Sequence, residues 1–157
     1  MDKKTFRSRP LDLAVDTISE KDLEEFISWL RQYPRLTMAE ETRRFEEEWA
    51  RWQGCRYAVA CNSGSSANLL MYAALDTAGK AGGRKVVVPA TGWVTTVAPA
   101  LQLGFKPIMC ESDSQTFGLD VGALETILKR ERPDAVIVVH VLGVPANLSA
   151  ILQLQQK

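Results

Sequence analysis

The sequence predicts an α/β fold built on a mostly parallel sheet with helices on both faces. From Tyr57 onward, short and continuous apolar runs alternate with segments of helical periodicity. The runs are rich in valine, as strands that are buried on both faces of a sheet should be. Regular alternation of strand and helix favours a parallel sheet, because parallel neighbours need a crossover connection and that connection is usually a helix.

Residues 1–54 are expected to form a helical segment ahead of this alternation. Ser19 predicts the N-cap of a first helix, and Pro34 predicts its end. The apolar face of this helix is predicted to carry Leu23, Phe26, Ile27, Leu30 and Tyr33. A second helix is predicted from Ala39 to Trp52, with Gly54 at its C-terminal end.

Four strand–helix units are predicted in residues 55–157. The predicted strands are Tyr57–Cys61, Lys85–Val88, Pro107–Cys110 and Ala135–His140, and the predicted helices are Ala67–Leu75, Thr95–Leu103, Val121–Arg130 and one that begins near Leu148. Ligands of such sheets bind beyond the carboxyl ends of the strands. We therefore expect the turn at Ser65, the side chain of Trp93 and the loop at Gly143 to lie at one rim of the sheet.

Composition narrows the classes of function. The 157 residues suit one domain with a real core, and 19 basic residues balance 19 acidic ones, so no nucleic-acid partner is expected. No apolar run has the length of a membrane span, and we expect a cytoplasmic protein with no membrane partner. The three cysteines lack a Cys-x-x-Cys spacing and there is one histidine, so neither a metal site nor a disulfide framework is predicted.

The segment Cys61–Asn68 carries the most informative motif, a Gly-Ser-Ser turn between a predicted strand and a predicted helix. Such a turn points backbone N–H groups, hydroxyls and the positive end of the helix dipole at one place, which favours a bound phosphate. Gly64 allows close approach of the backbone, and Ser65 and Ser66 add donors without bulk. The alternative is a helix cap only, because serine and asparagine are preferred N-caps.

Several motifs in register carry a resemblance to a known family. They lie at Phe45–Ala50, Tyr57–Ala67, Val88–Pro99, Leu103–Pro107 and Val139–Leu148. In this order they resemble the opening part of the DegT-type nucleotide-sugar aminotransferases, which are fold-type I pyridoxal-phosphate enzymes. The variant that begins at Trp93 resembles the branch that contains the deoxysugar 3-dehydrases. The resemblance runs from about Thr17 to the last residue.

The resemblance implies a fold, a cofactor and a set of site residues. Residues 55–157 would form an incomplete large domain of the aspartate aminotransferase type, and the small C-terminal domain would be absent. Pyridoxal 5'-phosphate would be the cofactor, with its phosphate held by Gly64, Ser65 and Ser66 and its ring stacked on Trp93. For Trp93 the alternative is a place in the core.

Structural roles are expected for the other polar residues. His140 ends an apolar run and is expected to be a structural histidine, with a direct role as the alternative. Capping of the following helix is expected for the threonines at 91, 95 and 96, although contact with cofactor or substrate is an alternative. Asp113, Asp120 and Glu125 are expected to be turn and helix-start residues.

The reaction implied by the resemblance is transfer of an amino group from an amino acid to a keto-sugar nucleotide, in a homodimeric complete enzyme. The alternative is 3-dehydration of a deoxysugar, in which a histidine replaces the Schiff-base lysine. The residue in question is expected beyond Lys157, so this chain alone is expected not to transaminate and, with an open sheet edge, to aggregate. Two further alternatives are a non-catalytic assembly module that uses Trp29, Trp49 and Trp52, and a phosphate-binding domain unrelated to pyridoxal phosphate.

Overall fold

The structure is a computed structural model and describes residues 16–155, which lie in two compact units divided between Ala60 and Cys61. The first unit contains helices α1 (Glu20–Leu30) and α2 (Glu40–Gln53). The second contains, in chain order, α3 (Gly64–Thr77), β1 (Lys85–Pro89), α4 (Val94–Gln102), β2 (Lys106–Cys110), α5 (Val121–Glu131), β3 (Ala135–Val136), a 3₁₀ turn (Val141–Gly143) and α6 (Leu148–Gln155). No helix within residues 16–155 is long and apolar enough to cross a membrane.

Both helices of the first unit begin close to the predicted residues, and α2 also ends as predicted, whereas α1 ends at Leu30, before the predicted stop at Pro34. Ser19 caps α1 through a capping box, in which its hydroxyl accepts from the Asp22 N–H at 3.2 Å and the Asp22 carboxylate accepts from the Ser19 N–H at 2.7 Å. Gly54 ends α2 in the left-handed conformation, with φ 71°. The assignment of Tyr33 to the apolar face of α1 was wrong, because the helix ends at Leu30 and Tyr33 is 94% exposed.

Three parallel strands form the sheet, in the order β2-β1-β3. Val86 and Val88 of the central strand pack with one set of residues from α3, α4 and the loop after α4, namely Tyr72, Ala100 and Phe105. On the opposite face Val87 packs with residues of β2, α5, α6 and the loop between β2 and α5, namely Cys110, Leu119, Leu124, Ile127 and Ile151. Since alternate side chains of a strand point to opposite faces, β1 is covered by helices on both sides, which confirms the predicted α/β arrangement.

The predicted strand at Tyr57–Cys61 is not formed. No strand of the described part of the chain pairs with this segment, and Tyr57 and Val59 are 78% and 76% exposed. Its Ala60 N–H donates instead to Glu46 Oε1 at 2.8 Å. An apolar run matches the sequence pattern of a strand, but a strand forms only when a neighbouring strand accepts and donates its backbone hydrogen bonds.

The strand predicted at Ala135–His140 is shorter than expected, because the ladder with β1 covers Ala135 and Val136 only. The Ile137 N–H still donates to the Val87 carbonyl at 2.8 Å. In a parallel ladder the next bond would run from the N–H of residue 89 to the Ile137 carbonyl. Residue 89 is proline and has no N–H, so β1 cannot continue the pairing.

Asp134 fixes the beginning of the sheet. Its carboxylate accepts hydrogen bonds from the Lys85 N–H at 2.8 Å and the Gly83 N–H at 3.1 Å, and its own N–H donates to the Lys85 carbonyl. The Lys85 ammonium pairs with Glu131 of α5 at 3.1 Å. The two N–H donors hold the pKa of Asp134 below its usual range.

An apolar groove of about 600 Å³ lies beside the edge strand β3. Leu128 of α5, Val136 of β3 and Leu152 of α6 are among the residues that line it. On the side away from β1, no strand of the described chain pairs with β3.

Candidate functional site

Helix α3 begins three residues earlier than predicted, so Gly64, Ser65 and Ser66 form its first turn. Ser63 is the N-cap, in an extended conformation, and its hydroxyl accepts from the Ser66 N–H at 3.2 Å. The Ser63 hydroxyl also donates to the Ser66 hydroxyl at 3.2 Å. The residue that caps the helix is therefore Ser63, and Ser65 is left out of the capping bonds.

The first turn of α3 keeps open donors. The N–H groups of Gly64 and Ser65 have no hydrogen-bond partner among residues 16–155, and neither has the hydroxyl of the exposed Ser65. A Cβ placed on Gly64 would meet no atom within 4 Å, so the space beside the turn is free. Open N–H groups at the positive end of a helix dipole favour an anion.

Trp93 is the N-cap residue of α4, and 76% of its side chain is exposed. The structure therefore does not place it in the core. Its carbonyl accepts from the Thr96 N–H at 2.9 Å, and no side chain caps α4. The predicted capping by threonines 91, 95 and 96 was wrong, because a backbone carbonyl takes the N–H that a hydroxyl would have bound.

Two hydrogen bonds join α3 to the beginning of α4. Asn68 Nδ2 donates to the Thr95 carbonyl at 2.9 Å, and the Tyr72 hydroxyl donates to the Thr96 carbonyl at 3.0 Å. Burial raises the pKa of Tyr72, so its hydroxyl stays protonated and remains a donor.

A cleft of about 220 Å³ lies between these two helices. It is lined by Ser65, Ser66 and Leu69 of α3 and by Thr95, Ala98, Pro99 and Gln102 of α4. The cleft thus lies beside the Gly-Ser-Ser turn and along α4, the helix whose N-cap is Trp93, although Trp93 itself is not among the residues that line it.

His140 forms a hydrogen bond across the loop of residues 140–146, which is not part of this cleft. Its Nδ1 accepts from the Ala146 N–H at 3.0 Å, and Ala146 is 4% exposed. Because Nδ1 is an acceptor, the neutral ring carries its proton on Nε2. This contact supports the structural role expected for His140.

The two aspartates before α5 have the expected structural roles. Asp113 Oδ1 accepts from the N–H groups of Gln115 and Thr116 in a turn, and these bonds hold the pKa of Asp113 below its usual range. Asp120 caps α5 by accepting from the Ala123 N–H at 2.7 Å. No cluster of residues that could hold a metal ion is present in the part of the chain that the structure describes.

The sequence analysis did not predict the residues that join α3 to α4. Asn68 lies in the interior of a helix, where a short amide side chain is unfavourable unless it has a partner. Pro99 lies inside α4, where it leaves the carbonyl four residues earlier without its helical donor. The two signals together could have predicted a bond between Asn68 and α4.

The chain is similar in sequence to a known family and to several of its members. Residues 16–157 match the model of the DegT/DnrJ/EryC1/StrS aminotransferase family. The chain is 34% identical to GDP-4-keto-6-deoxy-D-mannose 3-dehydratase of Yersinia pseudotuberculosis over 147 residues, which are 92% of this chain and 37% of that protein. It is 30% identical to L-glutamine:2-deoxy-scyllo-inosose aminotransferase of Streptomyces lividus over 129 residues, 82% of this chain and 30% of that protein.

The fold is similar to that of a solved enzyme. A structure of the GDP-4-keto-6-deoxy-D-mannose-3-dehydratase of E. coli with bound hydrated pyridoxal phosphate matches with a TM-score of 0.79 and 31% identity. The match covers 92% of this chain and 37% of that one. This likeness confirms the expected pyridoxal-phosphate fold of type I. The chain spans 37% of the length of this protein, and 37% and 30% of the two curated relatives reported above.

Proposed function

The chain belongs to the DegT/DnrJ/EryC1/StrS aminotransferase family, and we propose that it supplies the phosphate-binding and ring-binding part of a pyridoxal-phosphate-dependent enzyme of sugar-nucleotide metabolism. One observation carries the proposal: the open first turn of α3 lies beside α4, whose N-cap residue Trp93 exposes its ring. A phosphate and an adjoining aromatic ring are the two parts of this cofactor that such an arrangement fits.

The donors of the α3 turn fit a phosphate. The N–H groups of Gly64 and Ser65 and the Ser65 hydroxyl would bind its oxygens. The Ser66 hydroxyl accepts from Ser63, so its own proton is left to donate. Among the described residues no lysine or arginine lines the cleft, and the charge of the phosphate would be balanced by the helix dipole and these N–H groups.

Trp93 would hold the plane of the cofactor ring. A flat aromatic side chain stacks well on a pyridine ring, and its bulk excludes water from that face. When bound, pyridoxal phosphate acts as an electron sink for the carbon next to the substrate nitrogen. The contribution of this chain is to fix the ring and its phosphate so that the withdrawal of electrons is directed at one bond.

The complete enzyme would catalyse one specific reaction, whereas the family contains enzymes of more than one reaction. We infer 3-dehydration of a keto-deoxysugar nucleotide as the first candidate, because the identity is 34% to a 3-dehydratase over 147 residues and 30% to an aminotransferase over 129. Amino transfer to a keto sugar is the second candidate. The mass of the sugar product separates them, since dehydration removes the 3-hydroxyl and amino transfer adds nitrogen.

Binding of pyridoxamine 5'-phosphate to this chain tests the proposal directly. This form of the cofactor has no aldehyde and so does not react with surface lysines. Ser65→Ala should weaken binding about tenfold, because a hydrogen bond to a charged group contributes roughly 1.5–3 kcal/mol. Ser65→Asp should abolish binding by charge repulsion while it stabilises the helix, since a carboxylate in the first turn favours the helix dipole.

The matched control is Ser149 of α6. It is exposed and occupies the second position of its helix, the same position that Ser65 occupies in α3. Ser149→Ala and Ser149→Asp should leave the affinity unchanged. Equal affinities for the wild-type chain and for both Ser65 variants would show that the α3 turn is not the phosphate site.

We also propose that α2 provides a surface for self-association. Phe45, Trp49 and Trp52 form a continuous aromatic row on this helix, with ring centroids 5.9 Å and 5.1 Å apart, and Trp52 is 74% exposed. Exposed apolar surface of this kind favours a protein partner. Trp52→Glu should shift a dimer to a monomer in size-exclusion chromatography; a wild-type chain that elutes as a monomer would contradict the proposal.

A further inference from the structure

We propose that Asn68 is a positioning residue for Trp93, and that Pro99 makes this role necessary. The inference rests on the proposed function, in which the α3 turn binds the cofactor phosphate and Trp93 contacts the ring. What is added is a structural connection between the two, which runs through the backbone of the first turn of α4.

The connection begins with a missing donor. Pro99 lies in the interior of α4 (Val94–Gln102) and has no N–H. In an α-helix the N–H of residue 99 would donate to the carbonyl of residue 95. The Thr95 carbonyl therefore has no donor from its own helix, and an unpaired carbonyl in a partly buried place is costly.

Asn68 supplies this donor from another helix. Its Nδ2 lies 2.9 Å from the Thr95 carbonyl oxygen, and its side chain is partly buried. Because the bond replaces one that α4 cannot make internally, the first turn of α4 gains a hydrogen bond only when it lies at the correct place against α3. A regular helix without proline would have no such requirement.

Tyr72 gives a second point of attachment one turn further along α3. Its hydroxyl donates to the Thr96 carbonyl at 3.0 Å, and its ring packs at 5.4 Å from Phe105 in the core. Two adjacent carbonyls of α4 are thus held by two residues on one stripe of α3, at positions i and i+4.

Both ends of the site lie next to these bonds. Ser65 is three residues before Asn68 on α3, and Trp93 is two residues before Thr95 on α4. The attachment therefore sets the distance between the phosphate-binding turn and the aromatic ring. Loss of the Asn68 bond should leave the turn intact and allow Trp93 to move.

A double-mutant cycle tests the coupling. Asn68→Leu keeps the size of the side chain and removes the donor, and in the wild-type background it should weaken pyridoxamine 5'-phosphate binding about fivefold, as expected for one lost hydrogen bond. Pro99→Ala restores an N–H to α4 that can reach the Thr95 carbonyl. In that background Asn68→Leu should weaken binding by less than about twofold.

Two readouts separate positioning from general stability. Inorganic phosphate, used as a competitor, reports on the turn alone, and its affinity should be unchanged by Asn68→Leu. Quenching of Trp93 fluorescence by the bound pyridine ring, taken as the difference from Trp93→Phe, should fall by at least about half. Tyr72→Phe should act in the same direction without a change in phosphate affinity.

Thr77→Ala is the matched control. It removes a side-chain hydrogen bond to the Ala73 carbonyl at the far end of α3, at 2.8 Å, and should leave both readouts unchanged. An Asn68→Leu effect that is equal with and without Pro99, or that lowers phosphate affinity in parallel, would overturn the inference. If Ser65→Ala and Trp93→Ala leave binding unchanged, the proposed function fails. If these two variants weaken binding while Asn68→Leu has no effect, only the positioning role fails.

Discussion

Replacement of Asp134 by asparagine should destabilise the sheet at its beginning. The carboxylate accepts two N–H groups, from Gly83 and Lys85, at 3.1 Å and 2.8 Å. An asparagine has one acceptor oxygen and presents an NH₂ group to the second N–H, so one bond is lost and one donor is opposed. Hydrogen bonds to a charged group contribute roughly 1.5–3 kcal/mol each when they are buried. Since Asp134 is partly exposed, we expect a loss near the lower end, about 1.5 kcal/mol.

Urea denaturation measures this loss. With a slope of about 2 kcal/mol per molar urea, the midpoint should fall by about 0.75 M at neutral pH. Glu48→Gln is the control, because it removes a surface carboxylate whose ion pair with Arg44 is long, at 3.8 Å, and exposed; its midpoint should stay within the error. An Asp134→Asn midpoint equal to that of the wild type would refute the assignment of these two bonds.

The effect of Asp134 should also depend on pH. The bound N–H groups lower the pKa of Asp134 in the folded chain, below the ordinary value of 3.8. A lowered folded pKa means that the stabilisation is fully present above the unfolded pKa and is lost as the pH falls through the folded pKa. The difference between wild type and Asp134→Asn should therefore shrink in acid below 3.8. A difference that stays constant into strong acid would mean that charge is not its source.

Three further predictions concern the core and the loops. Leu124→Ala should cost about 3 kcal/mol of unfolding free energy by urea denaturation, because Leu124 of α5 is fully buried in the cluster that packs against Val87 of the sheet. Gly118→Ala should cost about 1–3 kcal/mol in the same assay, because the new Cβ would lie 2.9 Å from the Ala146 Cβ, whereas Gly92→Ala has room and should be close to neutral. Of the three thiols, Cys110 should react with Ellman's reagent only on unfolding, because burial shields it and raises its pKa; a third fast thiol in the folded chain would contradict this.

Residue patterns within single elements predicted much of the fold. The caps at Ser19 and Gly54 and the valine-rich strand at residue 85 depend on local chemistry, which the sequence shows directly. The failures at Tyr57–Cys61 and Ala135–His140 depend on a partner. An apolar run becomes a strand only when a neighbour supplies the ladder, and at β3 the neighbour presents Pro89, which cannot donate.

The candidate site could be proposed from the sequence to the extent that it consists of a motif. The Gly-Ser-Ser turn and the aromatic residue at 93 were identified from the sequence, and the structure places the turn at a helix terminus and the ring at the surface. The hydrogen bonds of Asn68 and Tyr72 to α4 were missed. They join residues 27 and 24 positions apart. Pro99 marks the Thr95 carbonyl as lacking its helical donor, but no comparable local signal marks the Thr96 carbonyl that Tyr72 binds.

Capping and anion binding at α3 are compatible, although from the sequence they looked like alternatives. A helix leaves its first N–H groups without internal partners, and Ser63 satisfies the one at Ser66. The N–H groups of Gly64 and Ser65 stay open, and the cap fixes the first turn so that they point the same way. A ligand then meets donors that are already ordered, and less conformational entropy is lost on binding. Loss of the Ser63 cap should therefore weaken anion binding even though Ser63 itself need not touch the anion.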